Sequence, residues 1–137
     1  MVILDTDLLS ELMRSSAVAV KWLDRQPPTS IWTTAINVFE IRYGLAIMPG
    51  GRRQSLQSIE FERVLEEDLE QRILPFDNGA AKETASLMAS RQLAGRPREL
   101  RDTMIAGIAL AYRATLATRN VRHFDDLNVP IIDPWQN

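Results

Sequence analysis

The sequence lacks cysteine, holds one histidine and has no long apolar run. Without cysteine it has no disulfide and no thiolate zinc site, which is typical of a protein of the reducing cytoplasm. The single histidine, His123, argues against a histidine-based metal site and against a Ser-His-Asp triad. No apolar segment approaches the roughly 18 residues of a membrane helix, and the N-terminus does not look like a secretory signal. We therefore expect a cytoplasmic protein with no membrane partner.

Lysine is also rare: two lysines accompany fourteen arginines, and the formal net charge is −2. Proteins that coat nucleic acid through bulk charge are usually strongly basic, so a broad nucleic-acid surface is not expected. Arginine suits phosphate and carboxylate partners, which leaves a small phosphate-handling site open, although a GC-rich genome would produce the same bias. With 137 residues, 45% of them hydrophobic, the chain is expected to form one domain, residues 1–137.

Strand-like and helix-like segments alternate along the chain. Short apolar or β-branched segments predict strands at 2–4, 29–35, 72–76, 115–118 and 130–133. Helices are predicted at 6–14, within 15–28, and at 35–48, 52–71, 78–95 and 99–114. Their apolar faces are assigned to Val18 and Trp22 in the second helix, and to Leu56, Ile59, Val64 and Leu69 in the fourth. The alternation indicates an α/β protein with a central parallel sheet of four to five strands, covered by helices on both faces.

Three acidic residues stand in otherwise apolar segments. Asp5 directly follows the first predicted strand, Glu40 lies within the apolar helix 35–48, and Asp102 begins the apolar part of helix 99–114. Burying an ionised carboxylate without a partner costs several kcal/mol, so such groups are usually paired with a cation or take part in chemistry. Carboxylates with few other donors suit Mg²⁺ or Mn²⁺. A parallel sheet places its site beyond the carboxyl ends of its strands, where Asp5 is expected.

Each of these acids also has a purely structural explanation. Asp5 is a good N-cap for the helix that follows it. Glu40 can pair with Arg42 or with an arginine distant in sequence, and Asp102 gains from the dipole of its helix. For a single acid the two explanations stay open. Three such acids at separate places together favour a cluster around one divalent cation.

Four segments of the chain are distinctive: "ILDTD" (3–7), "AINVFEIRYGL" (35–45), "LRDTMIAGIALAYRATLATRNVRHF" (100–124) and "DPW" (133–135). Together, in this order, they resemble the PIN domain, and in particular the VapC-type toxins and their FitB-like subgroup. The resemblance implies a three-layer α/β/α sandwich. It also implies a Mg²⁺-dependent endoribonuclease, the toxin of a type II toxin–antitoxin system, that hydrolyses RNA phosphodiester bonds with a water activated by the metal ion.

Position by position, the resemblance assigns Asp5, Glu40 and Asp102 as catalytic acids and metal ligands. Asn120 stands at a fourth ligand position, where many relatives have an aspartate, and the number of ions stays open. Asp7, in place of a more usual asparagine, either adds a negative charge near the pocket or caps the helix. Supporting roles are expected for Thr6 and Thr118, while Arg42 and Arg119 either contact phosphates or acids, or form surface pairs.

The resemblance also implies the partners. A cognate antitoxin of the VapB or FitA type is expected in a groove between helix 35–48 and the helix after Pro49, with DNA contacted only through the antitoxin, and a homodimer is expected. The alternative is a PIN-like binding module with weak or lost nuclease activity, which Asn120 favours. A phosphatase of the haloacid dehalogenase type is disfavoured, because Leu9 stands where its Asp-x-Asp motif needs threonine or valine, and Lys82 lies in a polar helix.

Overall fold

The centre of the fold is a five-stranded parallel sheet. The computed structural model describes residues 1–136, which form five strands and six α-helices. The strands are β1 (Val2–Leu4), β2 (Ile31–Thr34), β3 (Ile73–Leu74), β4 (Thr115–Ala117) and β5 (Ile131–Ile132). They pair in the order β3-β2-β1-β4-β5, every neighbouring pair being parallel. The predicted sheet is confirmed, with the segments after β1 shortened at their ends.

Helices cover the two faces of this sheet. They are α1 (Thr6–Met13), α2 (Ala17–Asp24), α3 (Ala35–Ile47), α4 (Arg52–Arg63), α5 (Asn78–Leu93) and α6 (Leu100–Tyr112). Because side chains alternate along a strand, Leu4 packs in one core with α1 to α4, while Ile3 packs in the other with α5 and α6. The arrangement is the expected three-layer α/β/α sandwich. Within residues 1–136, none of the helices is long and apolar enough to cross a membrane.

The helix predicted over 52–71 is interrupted, and its predicted apolar stripe is wrong in its first half. Leu56 and Ile59 are 51% and 62% exposed, and burial begins at Phe61. Regular helix ends at Arg63, after which a π-helical turn covers Val64–Asp68. The wider turn changes the phase of the helix, so the stripe before it does not continue into the stripe after it.

A smaller correction concerns α2. Val18 was expected to share the packed face with Trp22, but Val18 is exposed, and Ala19 is buried beside Trp22 instead. The helix has only eight residues, and its buried face is too narrow to include Val18.

The order of the strands determines where polar side chains collect. From β1 the chain moves outward to β2 and β3, then returns to β4 on the other side of β1. The switch point of the sheet therefore lies between β1 and β4. Asp5 follows β1 and Thr118 follows β4, and the Asp5 backbone N–H donates to the carbonyl of Ala117 at 3.0 Å.

Candidate active site

Asp5 is held by three hydrogen bonds at the switch point. It is 4% exposed, and its Oδ1 accepts from the backbone N–H of Thr6 at 2.8 Å and from Asn37 Nδ2 at 3.1 Å. Its Oδ2 accepts from Thr118 Oγ1 at 2.7 Å. The bond from Thr6 makes Asp5 the N-cap of α1, as its structural explanation predicted. The same bonds fix the orientation of a buried carboxylate, so capping is compatible with a functional role for Asp5.

Asn37 and Thr6 connect Asp5 to Glu40. Asn37 is fully buried, and its Nδ2 also donates to Thr6 Oγ1 at 2.9 Å. That hydroxyl donates in turn to Glu40 Oε1 at 3.0 Å. Asn37 and Glu40 are one turn apart on α3, so one helix face presents both. The sequence analysis gave Asn37 no role; an asparagine in an otherwise apolar helix was the available signal.

Of the two pairings considered for Glu40, the one with Arg42 is not formed. Arg42 Nη1 lies 2.9 Å from Glu62, and its guanidinium stands over the Phe61 ring. Glu40 instead faces the distant Arg101, whose Nη1 lies 3.8 Å from Glu40 Oε2. The alternative with an arginine distant in sequence is therefore the one observed.

Asp102 lies in the first turn of α6 and contacts His123. Its Oδ2 is 2.9 Å from Nδ1 of His123. His123 belongs to the 3-10 turn Val121–Phe124. The backbone N–H of Asp102 donates to Glu99 Oε2 at 2.9 Å, so Glu99 caps α6. The sequence reasoning gave His123 no role. Its position three residues after Asn120 was the signal that could have placed it near the site.

Asp7 and Asn120 meet at the edge of this group. The backbone N–H of Arg119 donates to Asp7 Oδ2 at 3.1 Å, and Asn120 Nδ2 lies 3.5 Å from the same oxygen. The Arg119 guanidinium is stacked on Trp135, 3.8 Å from the ring centroid. Asp7 Oδ1 is buried and has no hydrogen-bond partner among residues 1–136. Since Asp5 caps α1, the structure favours the alternative in which Asp7 adds charge near the pocket.

The four acids influence one another electrostatically. Burial is the main cause that raises the pKa of Asp5, Asp7, Glu40 and Asp102 above the ordinary values. The charge of Asp102 further raises the pKa of Asp5, and the charges of both raise the pKa of Glu40. The charge of Asp5 likewise raises the pKa of Asp7. Because these charges act on one another, we refer to the four residues Asp5, Asp7, Glu40 and Asp102 together as the acidic pocket.

The donor chemistry of the acidic pocket suits a hard divalent cation, because all its ligand atoms are carboxylate oxygens. The unpartnered Oδ1 of Asp7 is one such oxygen. As the side chains stand, however, no three histidine, aspartate or glutamate residues within 1–136 are placed to surround a metal ion together. Glu40 and Asp102 are engaged by Arg101 and His123 instead.

Arg91, a buried arginine that the sequence analysis missed, holds the segment around Asp102 in place through hydrogen bonds. Arg91 is 4% exposed and donates to both carboxylate oxygens of Asp126 at 2.8 Å. It also donates to Thr103 Oγ1 at 3.0 Å and to the carbonyl of His123 at 3.3 Å. It thus connects α5 to the two segments that carry Asp102 and its partner. No local signal marked it, since its partners lie 12 to 35 residues away.

Comparison with known proteins matches this chain and its fold to one family. The PIN domain family matches residues 2–129. The chain is 35% identical to the VapC ribonuclease Y4jK of Sinorhizobium fredii, over 99% of each chain, and 30% identical to toxin FitB of Neisseria gonorrhoeae, over 100% of each. A solved structure of FitAB bound to a DNA fragment superposes with a TM-score of 0.88 at 29% identity, covering 100% of this chain and 97% of that one. The chain therefore belongs to the PIN domain family, among the relatives of VapC and FitB.

Proposed function

We propose that this chain is a divalent-metal-dependent endoribonuclease and the toxin of a type II toxin–antitoxin pair, acting on cytoplasmic RNA. The observation that carries the proposal is the acidic pocket at the switch point of the sheet, where three hydrogen bonds fix the buried Asp5 and a hydrogen-bond chain through Asn37 and Thr6 joins it to Glu40. Such a pocket attracts a cation, and a related chain of similar length is named a VapC ribonuclease.

In this proposal Asp5, Glu40 and Asp102 hold Mg²⁺ or Mn²⁺, and Asn120 offers an amide oxygen at the edge. A bound divalent ion lowers the pKa of a water and polarises a phosphoryl oxygen. Asp5 provides the fixed oxygens, because three hydrogen bonds orient it. Glu40 or Asp102 would accept the proton of the attacking water.

Binding of a cation would release the basic groups that now face the acids. Arg101 is half-exposed, and its Nη1 lies 3.8 Å from Glu40, a weak contact. Once Glu40 faces a cation, the Arg101 guanidinium is free to contact an RNA phosphate, for which its fork is suited. Arg42 and Arg119 are less suited to this task, because Arg42 pairs with Glu62 and Arg119 stacks on Trp135.

The experiment compares RNA cleavage by purified wild type with that by the Asp5→Asn and Asp102→Asn variants, in Mg²⁺ and in EDTA. We expect wild type to leave 5′-phosphate ends and each variant to lose at least about a hundredfold in rate. Asp24→Asn, at an exposed position in α2, is the matched control. Circular dichroism checks that the variants fold. Full metal-dependent activity in either site variant would refute the assignment.

We further propose an antitoxin partner and a homodimer. Toxin FitB is 30% identical to this chain, and a complex named FitAB was solved bound to a DNA fragment. Exposed apolar side chains form two stripes here, Phe39, Tyr43 and Ile47 along α3, and Leu56 and Ile59 along α4. Exposed apolar surface of this kind marks protein contacts. A partner's arginine directed at the acidic pocket would be attracted by its charge, and DNA would then be contacted through the partner.

A second candidate function is a PIN-like binding module without nuclease activity. Two observations favour it: the side chains of residues 1–136 present no ready-made metal site, and Asn120 occupies the fourth ligand position. This candidate predicts that divalent ions neither stabilise the protein nor support RNA cleavage.

A further inference from the structure

A cavity adjoins the acidic pocket between α1, α3 and α4. Its volume is about 310 Å³, and Thr6 and Glu40 are part of its wall. These two residues also belong to the hydrogen-bond chain that leads to Asp5. We call this space the side cavity. Anything bound in it lies next to whatever is bound at the acids.

The wall of the side cavity combines apolar surface with a few polar groups. Met13, Ile41, Leu45 and Met48 supply the apolar part. Methionine sulfur is polarisable and makes favourable contacts with aromatic rings. The polar groups of the wall, besides Thr6 and Glu40, are Ser10, Arg14 and Gln57. A hydroxyl, a guanidinium and a carboxamide match the donors and acceptors on the edge of a nucleobase.

We infer that the side cavity receives an unstacked RNA base next to the phosphate that lies at the acidic pocket. This inference rests on the proposed nuclease function and adds a determinant of sequence choice to it. Proteins read single-stranded RNA by separating bases and binding their faces and edges. The cavity volume is at the lower end of small-molecule sites, which suits one base and not a longer segment.

A protein partner has a more suitable surface elsewhere on α3. Phe39, Tyr43 and Ile47 are exposed and follow one another at four-residue spacing, on a side of the helix that does not line the side cavity. Phe39 and Tyr43 stack, with ring centroids 6.2 Å apart. The cavity side of the same helix carries Glu40, which the acidic pocket shares. The chemistry next to the acids therefore favours the nucleotide.

Gly44 gives a direct way to fill the cavity. It lines the cavity wall in the middle of α3, and a Cβ built on it meets no described atom within 4 Å. Gly44→Leu should therefore fold, since glycine is also a poor helix residue. Ala46→Leu adds comparable bulk at an exposed position on the same helix that does not line this cavity, and serves as the matched control.

Two measurements test the inference. Binding of a labelled pool of short, random single-stranded RNA is followed in EDTA by fluorescence anisotropy, and cut sites in the same pool are sequenced in Mg²⁺. We expect Gly44→Leu to weaken binding about tenfold, the scale of one lost base contact, and to lose the base preference at one position beside the cut. Ala46→Leu should match wild type in both. Removing the base at that position from a substrate should slow wild type but leave Gly44→Leu unchanged.

The outcomes separate this inference from the proposed function. If wild type cleaves RNA while Gly44→Leu binds and cuts as wild type does, the base site is refuted and a segment of a protein partner becomes the occupant. If wild type cleaves no RNA, the proposed function fails and the inference fails with it. A loss of binding by Ala46→Leu equal to that of Gly44→Leu would also refute it, because the effect would not belong to the cavity.

Discussion

Glu40 illustrates how the acidic pocket opposes the stability of the fold. Its carboxylate is half-buried, and the charges of Asp5 and Asp102 act on it together with desolvation. The hydrogen bond from Thr6 and the charge of Arg101 offset this only in part, since the pKa of Glu40 remains above 4.5. A charged group kept in such surroundings is expected at a functional site.

The pH dependence follows from the sign of this shift. A carboxyl with a raised pKa holds its proton more tightly in the folded chain than in the unfolded one. Its contribution to stability is therefore fully present below its ordinary value of 4.5 and is lost as the pH rises through the raised pKa. Without divalent ions we expect Glu40→Gln to raise the melting temperature at pH 7 by about 2–4 °C, with the gain disappearing toward pH 4.5.

Glutamine keeps an oxygen that accepts from Thr6, so the variant removes the charge with little change in shape. The control is Glu66→Gln, at an exposed glutamate of the π-helical turn, which should leave the melting temperature unchanged. A lower melting temperature for Glu40→Gln at neutral pH would show that its charge is compensated in the folded protein.

For single residues of the site, the sequence predicted the acids better than the side chains that contact them. Asp5, Glu40 and Asp102 were visible because each is an acid in an apolar segment. Arg101, the partner of Glu40, was not visible because it lies on a polar stretch, and His123, the partner of Asp102, was marked only by its closeness in sequence to Asn120.

Among the elements, α5 and α6 pack closely against each other at Gly107. Gly107 of α6 faces Thr84 of α5, and an added Cβ would lie 1.8 Å from Thr84 Oγ1 and 3.0 Å from the carbonyl of Ala80. The helices approach closely only because position 107 has no side chain. This contact holds α6, and therefore Asp102, against the sheet.

We expect Gly107→Ala to destabilise the protein by about 1–3 kcal/mol, measured as a lower urea midpoint, because the helices must separate. Gly44→Ala is the control, since its new methyl group meets no described atom, and it should be neutral or stabilising. Adding Thr84→Ala to Gly107→Ala should restore part of the loss by removing the nearest atom. Equal midpoints for the two glycine variants would contradict the packing argument.

The strands and helices were largely predictable from the sequence, and the exception is the apolar stripe of α4. Apolar and β-branched segments marked all five strands, and N-cap and breaker residues marked the helices. The stripe of α4 failed because the π-helical turn at Val64–Asp68 shifts the helix phase. The hydrogen bond from the Leu69 N–H to the Val64 carbonyl spans five residues, and no residue pattern in the sequence announces that change.

For the whole molecule, the proposed metal site would link stability to divalent ions. An ion that binds only the folded chain, and not the unfolded one, stabilises the fold by about 2.7 kcal/mol when its concentration is a hundred times its dissociation constant. We expect Mg²⁺ or Mn²⁺ to raise the melting temperature of wild type by about 5–10 °C. Asp5→Asn should lose this gain, while Asp24→Asn should keep it. The binding-module alternative predicts no gain for wild type.

For the whole molecule, the architecture and the family were predictable from the sequence, whereas the arrangement of the side chains at the site was not. Alternating strands and helices suffice to indicate a parallel sheet with a site at its carboxyl edge. Whether the acids already surround a cation depends on side-chain rotamers and on basic groups distant in sequence, and these are set by the folded structure.

The bond between Asp5 and Thr118 has a consequence for synthesis of the protein. It joins residues 113 positions apart, and β1 needs β4 as its neighbour on that side. While the ribosome is still making the segment before β4, the nascent chain has its first acid but not the strand that orients it. Under the proposed nuclease function the site would be completed only late in translation, so prematurely terminated fragments are expected to be harmless to the cell that makes them.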